Sequence, residues 1–559
     1  MQKSVVKKLK QALIDIGNLQ NDASQKVTLA LSVSDKRHRA SVKFYRGDTF
    51  NDVWQSIATV LGATSNNSWV RLDIVQGVQV LARKLFEEKL FKITKMNFWR
   101  YGVSFDADFR TALLETEING QAFFKPSKES RVGDGHANSW ADYDRIADYL
   151  KTREPDLDVD IAQASHVWSF TTSGVFFDGQ QIHTLETDGY LEKGIRKITN
   201  ERETINQVIS EGESYLMRQL DDAGKFIYGY FPALQRVLTS YNYLRHFSTV
   251  YALLEAAEQT KRSADFPRIK RALQWGINHS LLKVDDAVYL SDKDELKLGS
   301  QAMLILALCK YQELSLDRTF APVLQQAFNG IKEFWNSETG FIHVLNEDLT
   351  LKSGFRIIYY DGEAVFALCR LYELQPNDET KQLVREMLDR MVANDYGQFH
   401  DHWIAYAINE ALSVFPDNQD YMKLGIKNVF THFNYIKNRV HASPTLLELL
   451  DASQKMVDRI QRSGNDELLA DYEVPVLHQL MHRRNFMRFK PVLGYQKLRC
   501  ICIGRKNSLV AFMPVMIISV PELTTLSIFF QVWLIITTTH IGKHNVNGRK
   551  GGLYVLLYQ

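Results

Sequence analysis

The sequence predicts a multidomain protein. An N-terminal α+β domain is followed by an all-α (α/α)6-type toroid whose last hairpin is missing or disrupted. Three observations predict this. Across residues 1–200, apolar side chains alternate with others in several short runs, which is the period of strands. Across 201–484, long helical patterns come in pairs, one partner amphipathic and the other apolar nearly all round. From 485 to 559 the helical periodicity is lost.

In the first region Val27, Leu29, Leu31 and Val33 alternate with other residues, and so do Val70, Leu72 and Ile74. Period two predicts half-buried strands at both places. The run His166 to Phe177 is β-rich, Asp178-Gly179 follows, and Ile182 to Leu185 resumes the pattern. That order predicts a hairpin with a glycine-containing turn. Phe105, Phe109 and Leu113 fall four apart, which predicts a helix over Asp106 to Ile118 with acids near its start. Asp106, Asp108, Glu115 and Glu117 read as a polar face of that helix. The whole region reads as an accessory domain.

In the second region the helical patterns fall at 202–220 with 240–258, 264–282 with 298–313, 319–336 with 361–374, 377–393 with 400–414, and 418–437 with 444–462. The spacing from pair to pair is about 45–60 residues, a self-similarity that signals a stacked or closed array of hairpins. Ala302 to Leu308 and Ala364 to Leu368 are apolar without interruption. Helices of that kind are buried on all sides and suit the inner ring of a toroid, with the amphipathic partners outside. Short β-like segments separate several helices: Gly224 to Tyr230, Ala287 to Leu290, and Thr339 to His343. Five pairs are visible, and a toroid of six lacks one.

Composition excludes several classes. A net charge of +2 in 559 residues gives no field to attract nucleic acid or an anionic membrane. Hydrophobic content of 45% and charged content of 24% are ordinary for a soluble globular chain. The four cysteines, Cys309, Cys369, Cys500 and Cys502, make no disulfide framework. No apolar stretch follows the basic N-terminal residues, so no signal peptide is read and a cytoplasmic location is expected. Phosphate-loop, dinucleotide, zinc and G-x-S-x-G spacings are all absent, so neither cofactor nor metal is expected. The acidic cluster Asp285, Asp286, Asp292 and Asp294 lacks EF-hand spacing and reads as a solvated loop. Thr524 to Thr537 is apolar but shorter than a membrane-spanning helix requires, so a membrane partner is expected only if this tail is genuine.

Four motifs occur in order: Gly224-Lys225-Phe226-Ile227-Tyr228-Gly229-Tyr230, Tyr241-Asn242-Tyr243-Leu244-Arg245-His246, Tyr359-Tyr360-Asp361-Gly362-Glu363-Ala364 and Asp401-His402-Trp403. With them the chain resembles an uncharacterised bacterial family of six-hairpin glycosidase-like toroids linked to polysaccharide and cell-envelope metabolism. Asn97 to Asn119 resembles the same group. The resemblance implies a carbohydrate or glycan intermediate as partner, and a sixth hairpin carrying patterns such as A-M-Y and R-I-D-D-x-x-H. Those strings are absent. Back-translation in the frame one base earlier permits them: Met516-Ile517 forces an Asp there and Met513-Pro514 an Ala. The tail is therefore expected to be read out of frame from near Asn485.

The same motifs carry the candidate chemistry, because in such toroids the loops converge where the inner helices begin. Asp361, Glu363, Asp401 and His402 are the candidate catalytic groups, since carboxylates and an imidazole can move protons and Asp401 is the best second acid for a paired-carboxylate reaction. Asp361 reads alternatively as an N-cap, Glu363 as a charge complementing a helix N-terminus, and His402 as a satisfied structural histidine. Tyr228, Tyr241, Asn242, Tyr243, Arg245, His246, Tyr359, Tyr360 and Trp403 are the candidate substrate-binding residues, offering rings to stack on sugars and a guanidinium fork for an anion. Half-buried packing is the alternative for Tyr241 to His246. The function expected is a carbohydrate-active protein, a hydrolase, lyase or epimerase acting on an envelope or capsular polysaccharide. The alternatives are a non-catalytic glycan-binding or assembly protein and a helical-repeat interaction scaffold.

Overall fold

A computed structural model of the chain describes residues 1–17, 26–35, 40–93, 99–120, 123–126, 139–157, 160–187, 193–194, 196, 201–231, 236–439 and 444–492. Its contacts divide into two units. One is built on Met1–Thr199, the other on Asn200–Tyr230 and Val237–Arg488.

The first unit centres on an antiparallel sheet in the order Ser41–Gly47, Val27–Ser34, Trp69–Ala82, His166–Phe177 and Gly102–Ser104, with Ile182–Thr184 also paired to His166–Phe177. Register places Leu31 opposite Leu72 and Leu72 opposite Val175, so the alternating residues meet on one face. That face packs with Leu9 and Leu13 of the Lys3–Gly17 helix and with Trp54, Ile57 and Leu61 of the Phe50–Ala63 helix. The strands are not half-buried as their period predicts. Ala30, Val42, Phe109 and Phe170 form a second apolar cluster that buries the other face. On that face Arg71 and Asp73 form a buried ion pair at 2.7 Å. The hairpin at Asp178-Gly179 is present: Asp178 Oδ1 accepts from the amides of Gln180 and Gln181, and Gly179 takes φ +100.

The helix predicted over Asp106 to Ile118 is a correction. Only Glu115–Gly120 is helical. The Asp106 carboxylate accepts from the amides of Asp108, Arg110 and Thr111 and folds that stretch into a turn instead. A short acidic side chain that bonds nearby amides competes with helix in this way. Glu117, read as part of a polar face, is fully buried and accepts from Arg153 and Tyr149.

The second unit is an array of helical hairpins. Tyr243–Thr260, Leu298–Ser315, Tyr359–Leu374, His402–Val414 and Pro444–Arg462 pack each against the next, as the inner helices of a toroid do. Phe266–Ser280, Ala321–Ile331, Asp378–Ala393 and Gln419–Phe430 lie outside, each against the inner helix before it, and Glu201–Gln219 flanks the first. Every residue from Leu298 to Gln312 is buried, which is why that segment carries no polar face. The outer helices bury one stripe only, such as Ile269, Ala272, Leu273 and Gly276. The pattern expected over 418–437 is broken into Gln419–Phe430 and Phe433–Asn438.

Two further differences from the sequence reading matter. The inner helices are not purely apolar, because their C-terminal halves bring charges together. Arg370 pairs with Glu313 at 2.6 Å, Glu373 at 2.5 Å and Glu410 at 3.4 Å, and Lys310 pairs with Glu258 at 2.9 Å. In addition, Val474–Val492 is helical and runs through the boundary expected at 485. It holds the sequence position of a sixth outer helix. The sixth inner position, the apolar stretch at 524–537, Cys500, Cys502 and, beyond 492, the tail expected to be out of frame lie outside the described residues. No helix among the described residues is long and apolar enough to cross a membrane.

Candidate functional site

The N-termini of the inner helices place the motif residues. Asn242 caps the first of them: its Oδ1 accepts from the Arg245 amide at 2.9 Å, and its Nδ2 donates to Asp292 at 3.3 Å. Asp292, expected in a solvated loop, is therefore a buried partner of the cap, with Lys297 at 3.8 Å. His246 is fully buried, and its Nε2–H donates to the Ala272 carbonyl at 2.8 Å. Its Nδ1 then accepts the Tyr241 hydroxyl at 2.8 Å. Burial pushes the imidazole down to about 4, so this histidine is neutral. Burial also pushes the Tyr241 phenol far up. Tyr228, Tyr241, Tyr243 and Trp275 pack ring against ring around it. This group reads as packing between the first inner helix and the outer helix Phe266–Ser280. Arg245 differs, because its charge acts on Glu363 and Tyr360 of a second cluster.

That second cluster joins the Tyr359 and Asp401 motifs. Asp361 is not an N-cap. Ile358 occupies the cap, and Asp361 lies in the first turn, buried. Its Oδ1 accepts from His343 Nε2–H at 2.6 Å and its Oδ2 from the Tyr396 hydroxyl at 2.8 Å. His343 Nδ1 in turn accepts the amides of Arg356 and Ile357, which fixes the tautomer. Asp361 is thus committed to holding the loop that leads into its own helix.

Asp401 is the N-cap of His402–Val414. Its Oδ1 accepts the amides of Trp403 at 3.0 Å and Ile404 at 3.1 Å, and its Oδ2 lies 3.2 Å from His402 Nδ1. The other ring nitrogen, Nε2, lies 4.0 Å from the buried Glu448 carboxylate. The Tyr359 ring stands edge-on to the His402 ring at 5.2 Å, and the Trp403 ring lies 5.3 Å from it, tilted by 41°. Burial opposes charge on His402, but the hydrogen bond and charge of Asp401, with Glu448 and Glu363, outweigh it and raise its proton affinity.

Glu363 differs from Asp361 and Asp401 in its bonding. It is 7% exposed, and its Oε2 is buried without a hydrogen-bond partner. That oxygen is pressed against Gly299 of the neighbouring inner helix: a Cβ added there would lie 2.1 Å from it and 2.4 Å from the Tyr360 ring. Burial pushes the carboxyl up to about 7, helped by Asp401 and Asp361 and opposed by His402 and Arg245. A buried carboxyl poised near neutrality, with an oxygen unused by the protein, can give or take a proton. Phe355 packs on His343 and is 65% exposed, and Tyr359 is 38% exposed.

Sequence reasoning brought Asp361, Glu363, Asp401, His402, Tyr359, Tyr360 and Trp403 to one place. It missed Glu448, His343, Tyr396 and Asn428. Glu448 had a signal, being a charged residue inside the apolar run Leu446 to Leu450. His343, Tyr396 and Asn428 act from separate elements and had none. Among the described residues no group of three or more His, Cys, Asp or Glu is arranged to hold a metal ion.

No protein-family model matches the sequence, and no curated protein matches it. Among solved structures, the chain aligns with a family 76 glycoside hydrolase from a bovine Bacteroides thetaiotaomicron strain at TM-score 0.42 and 8% identity, over 84% of this chain and 96% of that one. It aligns with an α-1,6-mannanase from a Salegentibacter species at TM-score 0.40 and 10% identity, over 61% and 100%. It aligns with cellobiose 2-epimerase from Bacillus thermoamylovorans at TM-score 0.40 and 13% identity, over 50% and 86%.

Proposed function

We propose that this chain is a carbohydrate-active enzyme of the α/α-toroid type, and that Glu363 and His402 are its proton-transferring pair. The observation that carries the reading is the buried Glu363 oxygen left without a partner beside His402. Tyr359 and Trp403 lie beside the imidazole and offer faces on which a sugar ring can stack. A paired-carboxylate glycosidase needs a second carboxylate free to attack or to activate water. Asp361 and Asp401 are committed to other bonds, so the site favours moving protons on a sugar over displacement at its anomeric carbon. In such a reaction one group takes a proton from a carbon beside a carbonyl and the other returns one. Epimerisation and elimination share that step. The envelope or capsular glycans implied by the sequence resemblance are the proposed source of substrate.

The test is to incubate the protein in D2O with reducing mono- and oligosaccharides and to follow carbon-bound deuterium by NMR. Exchange is expected, and Glu363→Gln is expected to slow it by about 10²-fold or more. Exchange undiminished in both Glu363→Gln and His402→Gln would sink the reading.

The second proposal concerns the C-terminus. We propose that residues beyond 485 are read out of frame, and that the in-frame sequence supplies the sixth inner helix. The part of the helix Val474–Val492 that precedes residue 485 supports this reading, since an outer helix precedes each inner one in this array.

A further inference from the structure

We infer that Asn428, on the outer helix Gln419–Phe430, is a positioning residue that acts through Asp401 to fix the orientation and proton affinity of His402. The inference rests on the role proposed above for His402. Asn428 is fully buried, and its amide grips the Asp401 backbone at both ends. Its Oδ1 accepts the Asp401 N–H at 2.9 Å, and its Nδ2 donates to the Asp401 carbonyl at 2.8 Å. Both partners are buried, so neither bond is exchanged for water at low cost.

The grip adds to the Ala405 amide, which donates to the same Asp401 carbonyl at 3.2 Å, and it is what holds the Asp401 N–H. Asp401 lies between a residue in the left-handed region, His400 at φ +53, and the first turn of the inner helix. A side chain this size, offering both a donor and an acceptor, is what one extended residue needs to be held at its N–H and C=O together. With its backbone fixed, Asp401 has one carboxylate oxygen on two helix amides and the other on His402 Nδ1. His402 is then held with Nδ1–H towards Asp401 and Nε2 towards Glu448. A second residue that orients an imidazole through its carboxylate partner is a familiar way to set a tautomer. The groups facing His402 are Asp401 on its own segment, Glu448 on Pro444–Arg462, and Glu363 and Tyr359 on Tyr359–Leu374. On the far side, His400 Nδ1 donates to the Asn428 carbonyl at 3.1 Å and stacks on His432 at 4.2 Å. None of these replaces the Asn428 amide.

The experiment uses the full chain with 15N-labelled histidine, the His402 signals being identified by their loss in His402→Gln. In the native protein a low-field Nδ1–H resonance is expected, with a midpoint above the ordinary imidazole value of about 6.5. In Asn428→Ala the Nδ1–H signal is expected to be lost and the midpoint to fall by about half a unit or more. Asn428→Ser, which can keep one bond, is expected to fall between, and serves if the alanine variant does not fold. Native signals in both variants alongside a lowered melting temperature would overturn the inference, leaving Asn428 as packing only. Because the readout needs no substrate, it stands whether or not the chain turns over a sugar.

Discussion

At the scale of single residues, the site is defined by what each carboxylate is already doing. Asp361 and Asp401 are filled by the protein's own donors, whereas Glu363 is buried with one oxygen unused. That difference has a consequence for pH. The Glu363 carboxyl is pushed up to about 7, above its ordinary value of 4.5, so the folded chain holds this proton more tightly than the unfolded chain does. Its contribution to stability is complete at the acid end and is lost as pH rises through about 4.5 to 7. Between pH 5 and pH 8 the native chain is expected to lose about 1–3 kcal/mol more than Glu363→Gln does. Denaturant unfolding of the second unit at the two pH values checks this, and parallel losses in both proteins would refute it. His402 shifts in the same sense, so its stabilisation also fades as pH rises through its folded midpoint. Much of this cluster was legible, because Asp401-His402-Trp403 and Tyr359 to Glu363 each open an inner helix. What was not legible is occupancy. A sequence shows that Asp361 is acidic, but not that His343, from a strand-flanking loop, has already claimed it.

At the scale of elements, helices were the most readable feature and short connections the least. All five inner helices lie within three residues of the predicted spans, because long apolar runs such as Ala302 to Leu308 mark the segments that are buried on all sides. The reading failed at Asp106, where a single side chain outweighs the periodicity of Phe105, Phe109 and Leu113 by bonding the local amides itself. It also failed for the charges between the inner helices. Arg370 and Lys310 were diluted by the apolar residues around them. The most buried inner helix, Leu298–Ser315, provides the test of this packing. Leu304 is fully enclosed, and Leu304→Ala is expected to destabilise the second unit by about 2–5 kcal/mol. Chemical unfolding monitored by the second unit's tryptophans measures it, and a loss well under about 1 kcal/mol would mean the helix is not enclosed on all sides.

At the scale of the whole molecule, the array advances one hairpin at a time, and each of the three middle inner helices has an inner neighbour on both sides. Stability in such arrays is a sum of unit and interface contributions, and terminal units carry the greatest burden. The first and fifth inner helices, Tyr243–Thr260 and Pro444–Arg462, have no comparable packing against one another among the described residues. A sixth inner helix would lie against both. A gene restored to the other frame beyond codon 485 is therefore expected to give a chain that melts several degrees higher and resists proteolysis better. An unchanged melting temperature would remove the frame proposal, as would sequencing that shows no lost or gained base near codons 480–500. The contacts divide near residue 200, where the sequence pattern changes from period two to period 3.6.

One buried side chain bears on a different hazard. Gln301 reaches from Leu298–Ser315 to the strand Ala287–Leu290, where its Oε1 accepts the Leu290 amide and its Nε2 donates to the Val288 carbonyl. Leu281–Val284 pairs with the other side of that strand. The groups that Gln301 occupies are the ones an intruding strand from another molecule would need. The hairpin therefore offers no open edge there, and a small apolar β-ribbon can sit beside the ring without templating aggregation.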